Sequence, residues 1–80
     1  MTQLELKKLF KSVFPTADFD VQFESLEINS FPEWDSLGNL NLLLRIEEDL
    51  DFRFTSDEFS EVKSVNQVID ILKNKGLYED

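Results

Sequence analysis

Apolar residues recur at helical spacing soon after the chain begins. Thr2 and Glu5 have the three-residue separation of a capping box, and Pro15 disfavours helical geometry at Phe14. The apolar positions between these signals are Leu6, Leu9, Phe10, Val13 and Phe14. The pattern therefore predicts a first helix that ends at Phe14.

A second helix is predicted to begin at Asp35 or Ser36, either of which can cap it, and to run to about Leu50. At roughly 100° per residue, one face of this helix gathers residues that must point to the core. These are Asn39, Leu42, Leu43, Ile46 and Leu50. A second apolar stripe lies outside this face and beside Ser36, namely Leu37, Leu40 and Leu44. We expect this stripe either to be covered by the preceding loop or to be offered to a partner.

Two more helices are predicted in the C-terminal third of the chain. Thr55 and Glu58 have capping-box spacing and start a short third helix, with Phe59 and Val62 pointing inward. Ser64 pairs in the same way with a glutamine three residues on and starts a fourth helix. The apolar face of the fourth helix consists of Val65, Val68, Ile69 and Leu72. Gly76 follows Lys73 and Lys75 and stands where a left-handed cap is expected.

Residues 15 to 35 show no sustained helical period, but apolar residues are scattered through them. They are Phe19, Val21, Phe23, Leu26, Ile28, Phe31 and Trp34. Phe19, Val21 and Phe23 alternate as in a strand, yet nothing else in the sequence offers that strand a partner. We therefore predict a long loop held to the core by apolar anchors, with a strand as the alternative. The fold class predicted is an all-α four-helix bundle, with three longer helices and one short, in one domain over residues 1–80.

Composition and charge restrict the function. The chain carries 17 acidic and 8 basic residues, and residues 12 to 62 contain only Arg45 and Arg53 as cations. This charge disfavours nucleic acid and anionic membranes and favours basic protein surfaces. Cys and His are both absent, so the usual nucleophile, general base and metal ligands are missing, and we expect no enzymatic activity. No targeting segment is visible, and we expect a cytoplasmic monomer.

Asp35-Ser36-Leu37 is by itself only a capping sequence, but the residues after it form a longer pattern. The apolar helix closes on Ile46-Glu47-Glu48-Asp49-Leu50, and Phe54, Val65 and Val68-Ile69-Asp70 follow at fixed distances. With this run, the chain resembles the acyl carrier protein family over nearly half its length. That resemblance implies a four-helix fold of the acyl-carrier-protein type.

The resemblance implies that Ser36 is the attachment point of 4'-phosphopantetheine, transferred from coenzyme A by a phosphopantetheinyl transferase that uses magnesium. Asp35 would remain the helix cap and help to position the metal of the transferase. A phosphodiester suits the first turn of a helix, where backbone N–H groups are unpaired. Because the chain has no Cys, the thiol of the arm would be its only thiol. Cargo would be held on this thiol as a thioester.

The resemblance also implies a partner surface for acyl- or aminoacyl-loading and synthase enzymes. Its residues would be Leu37, Leu40, Leu44, Glu47 and Glu48. Several positions depart from fatty-acid carriers: Gly38 and Asn41 stand where acids are common, Arg45 adds a positive charge, and Trp34 replaces a small residue. These departures favour a carrier of a specialised pathway, such as polyketide, peptide or sugar-modifying biosynthesis.

Three alternatives to an acyl carrier were considered. An aminoacyl or peptidyl carrier would differ only in its cargo. An acidic interaction module would use the stripe of leucines to dock and carry no prosthetic group. A calcium loop starting at Asp49 would use Asp51 and Asp57, but it lacks the required Gly and final Glu, so we predict no metal site.

Overall fold

Four α-helices pack around one hydrophobic core in the computed structural model of the chain, which describes residues 1–17 and 22–79. The helices are α1 (Gln3–Val13), α2 (Ser36–Leu50), α3 (Ser56–Glu61) and α4 (Val65–Asn74). A short 3₁₀ turn at Phe23–Ser25 interrupts the long segment between α1 and α2. This confirms the predicted all-α bundle of three longer helices and one short helix. None of the helices in the described part has the length and apolar character needed to cross a bilayer.

Two of the three predicted capping boxes form completely. The Thr2 hydroxyl accepts the Glu5 N–H, and the Glu5 carboxylate accepts the Thr2 N–H at 3.0 Å. Thr55 and Glu58 make the same two bonds at the start of α3. In both cases the reciprocal bonds occupy backbone donors that the first helical turn leaves unpaired.

The third capping box forms only in part. The Ser64 hydroxyl accepts the Gln67 N–H, as predicted, and so caps α4. The side-chain oxygen of Gln67, however, accepts the N–H of Lys63 at 2.7 Å and not that of Ser64. The N–H of Lys63 therefore takes the place that the Ser64 N–H has in the complete motif.

The C-terminus of α4 has the predicted left-handed glycine. Gly76 has φ = 72°, and its N–H bonds the Lys73 carbonyl, while the Leu77 N–H bonds the Leu72 carbonyl at 2.8 Å. This pair of bonds is a Schellman motif, in which a residue without Cβ turns the chain at no steric cost.

The core is built from α1, α2 and α4, from the long loop, and from residues that flank α3. Its buried apolar residues are Leu6, Leu9, Phe10, Phe14, Ala17, Phe23, Trp34, Leu42, Leu43, Ile46, Phe54, Val62, Val65, Val68, Ile69 and Leu72. The core faces predicted for α1, α2 and α4 are therefore correct, although Val13 and Leu50 are only partly buried. Phe59 of α3 is also only partly buried, whereas Val62 is fully inside.

The loop between α1 and α2 is held to the core as predicted. Phe23 and Trp34 are buried, and the anchors Leu26, Ile28 and Phe31 pack against the core from its surface. The predicted anchors Phe19 and Val21, and with them the alternative of a strand, lie outside the described residues.

Backbone hydrogen bonds join the same loop to the start of α4. The Ile28 N–H bonds the Lys63 carbonyl at 2.7 Å, and the Val65 N–H bonds the Leu26 carbonyl at 3.0 Å. The loop therefore finds partners for its backbone groups in the segment between α3 and α4, far away in the sequence.

Candidate functional site

Asp35 and Ser36 stand at the N-terminus of α2. The Asp35 carboxylate accepts the Gly38 N–H at 2.8 Å and so caps the helix. Ser36 is the first residue of the helix and is exposed. Within residues 1–17 and 22–79, neither the Ser36 hydroxyl nor the N–H groups of Ser36 and Leu37 have a hydrogen-bond partner. The first turn thus presents a free hydroxyl together with two free backbone donors.

The preceding loop packs tightly against this first turn, at Gly38. A Cβ on Gly38 would stand 2.3 Å from the Glu33 carbonyl oxygen and 3.1 Å from the Phe14 ring. Only a residue without a side chain permits this approach of two backbones. Glycine is normally unfavourable inside a helix, and the contact with the loop explains why it stands at position 38.

The Trp34 side chain lies completely buried beneath the start of α2. Its indole packs edge-on against Phe10, with ring centroids 5.4 Å apart, and tilted against Phe14 and Phe31. The residue before Asp35 is thus an aromatic anchor, which fixes where the helix begins.

Asn39 continues this anchoring on the core side of α2. Its Oδ1 accepts the Trp34 indole N–H at 3.0 Å, and its Nδ2 donates to the Val62 carbonyl at 2.9 Å. Periodicity correctly placed Asn39 on the core face, but it did not show these partners. Nothing local in the sequence indicates the Val62 partner, which lies 23 residues along the chain.

The stripe Leu37, Leu40 and Leu44 is open to solvent. The three side chains are 66%, 43% and 47% exposed, respectively. Of the two outcomes expected for the stripe, cover by the loop or presentation to a partner, the first is therefore wrong. The stripe runs from Ser36 along the outer side of α2 and forms an apolar surface next to the free hydroxyl.

Glu47, which is also predicted for the partner surface, differs from the three leucines in being largely buried. It is only 8% exposed, and its carboxylate accepts the Phe54 N–H at 2.7 Å. The link between α2 and α3 folds over Glu47 and needs an acceptor for that buried N–H. Glu48, the other acid predicted for the partner surface, is exposed.

Charges around the stripe are mainly negative. Arg45 is paired with Asp49 at 3.5 Å, so its charge is partly balanced. Glu33 accepts a hydrogen bond from the Thr16 hydroxyl, which lowers the pKa of Glu33 below its ordinary value. The carboxylate of Glu33 therefore stays ionised to a lower pH than an unperturbed glutamate.

An open groove of about 380 Å³ lies at the far end of the stripe. It is lined by Leu44, Glu47, Glu48, Asp51, Phe52 and Arg53. The lining of the groove includes both apolar and acidic side chains. The groove therefore extends the outer side of α2 past the C-terminus of this helix.

The arrangement at Ser36 suits an acceptor of a phosphate ester. The hydroxyl is accessible, and no neighbouring side chain covers it in the described part of the chain. The two free N–H groups and the positive end of the helix dipole favour the binding of an anion at this position. The chain contains no His or Cys to activate the hydroxyl.

Comparison with known proteins agrees with the resemblance read from the sequence. The chain is similar to an acyl carrier protein from Coprothermobacter proteolyticus, with 29% identity over 70 residues, which are 88% of this chain and 84% of that protein. No family model matches the chain, and no solved structure matches it. The resemblance to acyl carrier proteins is thereby confirmed, and it supports a carrier-protein role.

Proposed function

We propose that this chain is a carrier protein that holds acyl groups as thioesters on a 4'-phosphopantetheine arm attached to Ser36. It would present them to the enzymes of fatty-acid, polyketide or other specialised biosynthesis. The observation that supports this most is the free Ser36 hydroxyl at the start of α2, between the Asp35 cap and an exposed apolar stripe. The similarity to an acyl carrier protein over most of the chain supports the same function.

Attachment would join the Ser36 oxygen to the phosphorus that bears pantetheine in coenzyme A. The pyrophosphate P–O bond breaks, adenosine 3',5'-bisphosphate leaves, and the hydroxyl proton passes to a base of the transferase. The free N–H groups of Ser36 and Leu37 would then face the new phosphodiester anion. Asp35 would keep its bond to Gly38 and direct its exposed side toward the metal of the transferase. When bound, the arm supplies a thiol that can hold cargo as a thioester.

Partner enzymes would dock on the outer side of α2. The exposed leucines at 37, 40 and 44 supply apolar contact area, and Glu48 supplies negative charge at the rim. Basic patches on a partner complement such a surface and are steered toward it over long distances. Glu47 is left out of this surface because its carboxylate is engaged inside the fold.

The test is the intact mass of the protein after incubation with coenzyme A, magnesium and a broad-specificity phosphopantetheinyl transferase. The wild type should gain the mass of one phosphopantetheine, and Ser36→Ala should gain none. Ser56→Ala is the matched control, because Ser56 is likewise the exposed first residue of a capped helix. It should gain the same mass as the wild type.

A docking module without a prosthetic group is the second candidate, and the exposed leucines favour it as well. It would leave the mass of the wild type unchanged with several transferases. If the mass gain occurs, this candidate is rejected. Loading with an aminoacyl or an acyl donor then distinguishes an aminoacyl or peptidyl carrier from an acyl carrier.

A further inference from the structure

We propose that Trp34 and Asn39 are positioning residues that fix Ser36 for modification through a buried side-chain clamp. The inference rests on the proposed function, since it concerns how the attachment residue is presented. The clamp is the hydrogen bond from the Trp34 indole N–H to the Asn39 side-chain oxygen, 3.0 Å long and buried.

The need for a clamp follows from the exposure of Ser36 itself. The side chains of Ser36 and Leu37 are exposed, and among the residues that the structure describes they make no hydrogen bond that would hold the first turn in place. Helix ends fray when their first turn lacks such contacts. The position of the Ser36 oxygen must therefore be set by the residues on either side of it.

Trp34 and Asn39 flank the exposed pair and are both buried. Their side chains meet beneath the first turn, so that the hydrogen bond closes a loop of chain with Ser36 at its outer side. The Asp35 cap lies within this loop, and the Glu33 carbonyl packs against it from the preceding residue, at Gly38.

Each end of the clamp is attached to a different part of the core. The indole packs against Phe10 of α1 with its ring centroid 5.4 Å away. The Asn39 amide donates to the Val62 carbonyl, the residue that follows α3, at 2.9 Å. These contacts hold the start of α2 in a fixed position relative to α1 and to the residue that follows α3. A shift of the first turn would break a buried hydrogen bond.

Loss of the clamp should affect chemistry more than docking. The leucines at 40 and 44 lie on the outer side of α2, one to two turns beyond Ser36, and do not depend on the Asn39 side chain. A transferase would still recognise this surface, so KM should change little. The Ser36 oxygen would spend less time in the reactive position, and kcat should fall.

The test compares the kinetics of phosphopantetheine transfer to the wild type, Asn39→Ala, Trp34→Phe and Val68→Ala. Val68 is completely buried in α4, and its truncation is the control for general destabilisation. All rates are measured at a temperature where urea titration shows each variant to be folded. We expect Asn39→Ala to lower kcat about tenfold with KM within about twofold, and Val68→Ala to match the wild type. Trp34→Phe keeps an aromatic ring but loses the indole N–H that donates to Asn39, so it should also lower kcat. This variant tests the clamp even if Asn39→Ala does not fold.

Amide hydrogen exchange gives a second readout that needs no transferase. In Asn39→Ala, the amides at positions 38 and 39 should exchange about tenfold faster or more, because a buried bond has been lost, while those in the middle of α4 keep their rates. Failure of the wild type to accept the arm overturns the proposed function, and this inference with it. Equal kcat and equal exchange at the first turn in the wild type and the clamp variants overturn this inference alone.

Discussion

Helices α2 and α4 are both rich in apolar residues but use them differently. In α4 the residues Val65, Val68, Ile69 and Leu72 are all 6% exposed or less. In α2 one set, including Leu42, is buried, while a second set at positions 37, 40 and 44 is 43% to 66% exposed. Because an exposed apolar stripe adds little to stability, the outer side of α2 is better explained by contact with partners than by folding.

The comparison also separates two ways of fixing a helix end. The first turn of α4 is capped by Ser64 and joined to the long loop by the hydrogen bond from the Val65 N–H to the Leu26 carbonyl, whereas the first turn of α2 is packed directly against the backbone of the preceding loop at Gly38. The beginning of α2 is therefore a defined position relative to the core. A fixed position is what a site of covalent attachment needs, because the hydroxyl of the site must lie in the reactive geometry when a partner enzyme binds.

The largest effect on stability is expected when leucines on the two sides of α2, and in α4, are truncated to alanine. Leu42→Ala and Leu72→Ala should each lower the free energy of unfolding by about 2–5 kcal/mol, since both side chains are completely buried. Leu44→Ala should lower it by no more than about 0.5 kcal/mol. Urea titration followed by Trp34 fluorescence and circular dichroism measures all three. A cost for Leu44→Ala equal to that of Leu72→Ala would place the stripe in the core.

A second effect concerns the first turn of α2. Gly38→Ala should destabilise the fold by about 1–3 kcal/mol, because the new Cβ would press on the Glu33 carbonyl oxygen. The matched control in α4 is Asn66→Ala, an exposed first-turn position where alanine should be neutral or slightly stabilising. Thermal unfolding compares them directly. A gain in stability for Gly38→Ala would show that the loop does not approach the helix here.

A third, smaller effect is expected when the left-handed residues that end α2 and α4, an aspartate and a glycine, are each replaced by the other residue type. Asp51 ends α2 with φ = 53°, and the N–H of Phe52 bonds the Glu47 carbonyl, just as Gly76 with φ = 72° turns the end of α4. Asp51→Gly should therefore stabilise the protein by about 0.5 kcal/mol, and Gly76→Asp should destabilise it by about 1 kcal/mol. Melting temperatures that move in the same direction for both variants would contradict the left-handed geometry at one end.

The smallest effect is the pH dependence of α3 and its contact with α4. The Thr55 N–H, and secondarily Lys75 at 3.5 Å, hold the pKa of Glu58 below its ordinary 4.5. Its contribution to stability is thus present above that ordinary value and disappears as the pH falls through the lowered pKa. Glu58→Gln should cost less than about 0.5 kcal/mol at pH 7, and this cost should shrink as the pH falls below 4.5. A difference that grows on acidification would contradict this sign.

Much of the fold was predictable because its determinants are local. The caps at Thr2, Thr55 and Ser64 depend on residues three positions on, and the left-handed turn at Gly76 depends on the residue type. The core face of α2 followed from helical periodicity, and the start of α2 was predicted to within one residue, at Asp35 or Ser36, because both residue types are good caps.

The remaining features depend on contacts that the helices make with loops and links, which helical periodicity does not contain. Helical phase put Glu47 near the direction of Ser36, yet the link to α3 folds over it and turns it into an internal acceptor for Phe54. The purpose of Gly38 became visible only with the loop carbonyl beside it. The same holds for Asn39, whose partner Val62 lies 23 residues away.

Fragment-ion mass spectrometry of the digested protein, after treatment with coenzyme A and a phosphopantetheinyl transferase, would test the central claim most directly. The account predicts that the added mass is found on a peptide containing Ser36 and that the fragment series assigns it to the oxygen of that residue. Added mass on any other serine, or unmodified peptides throughout, would contradict it.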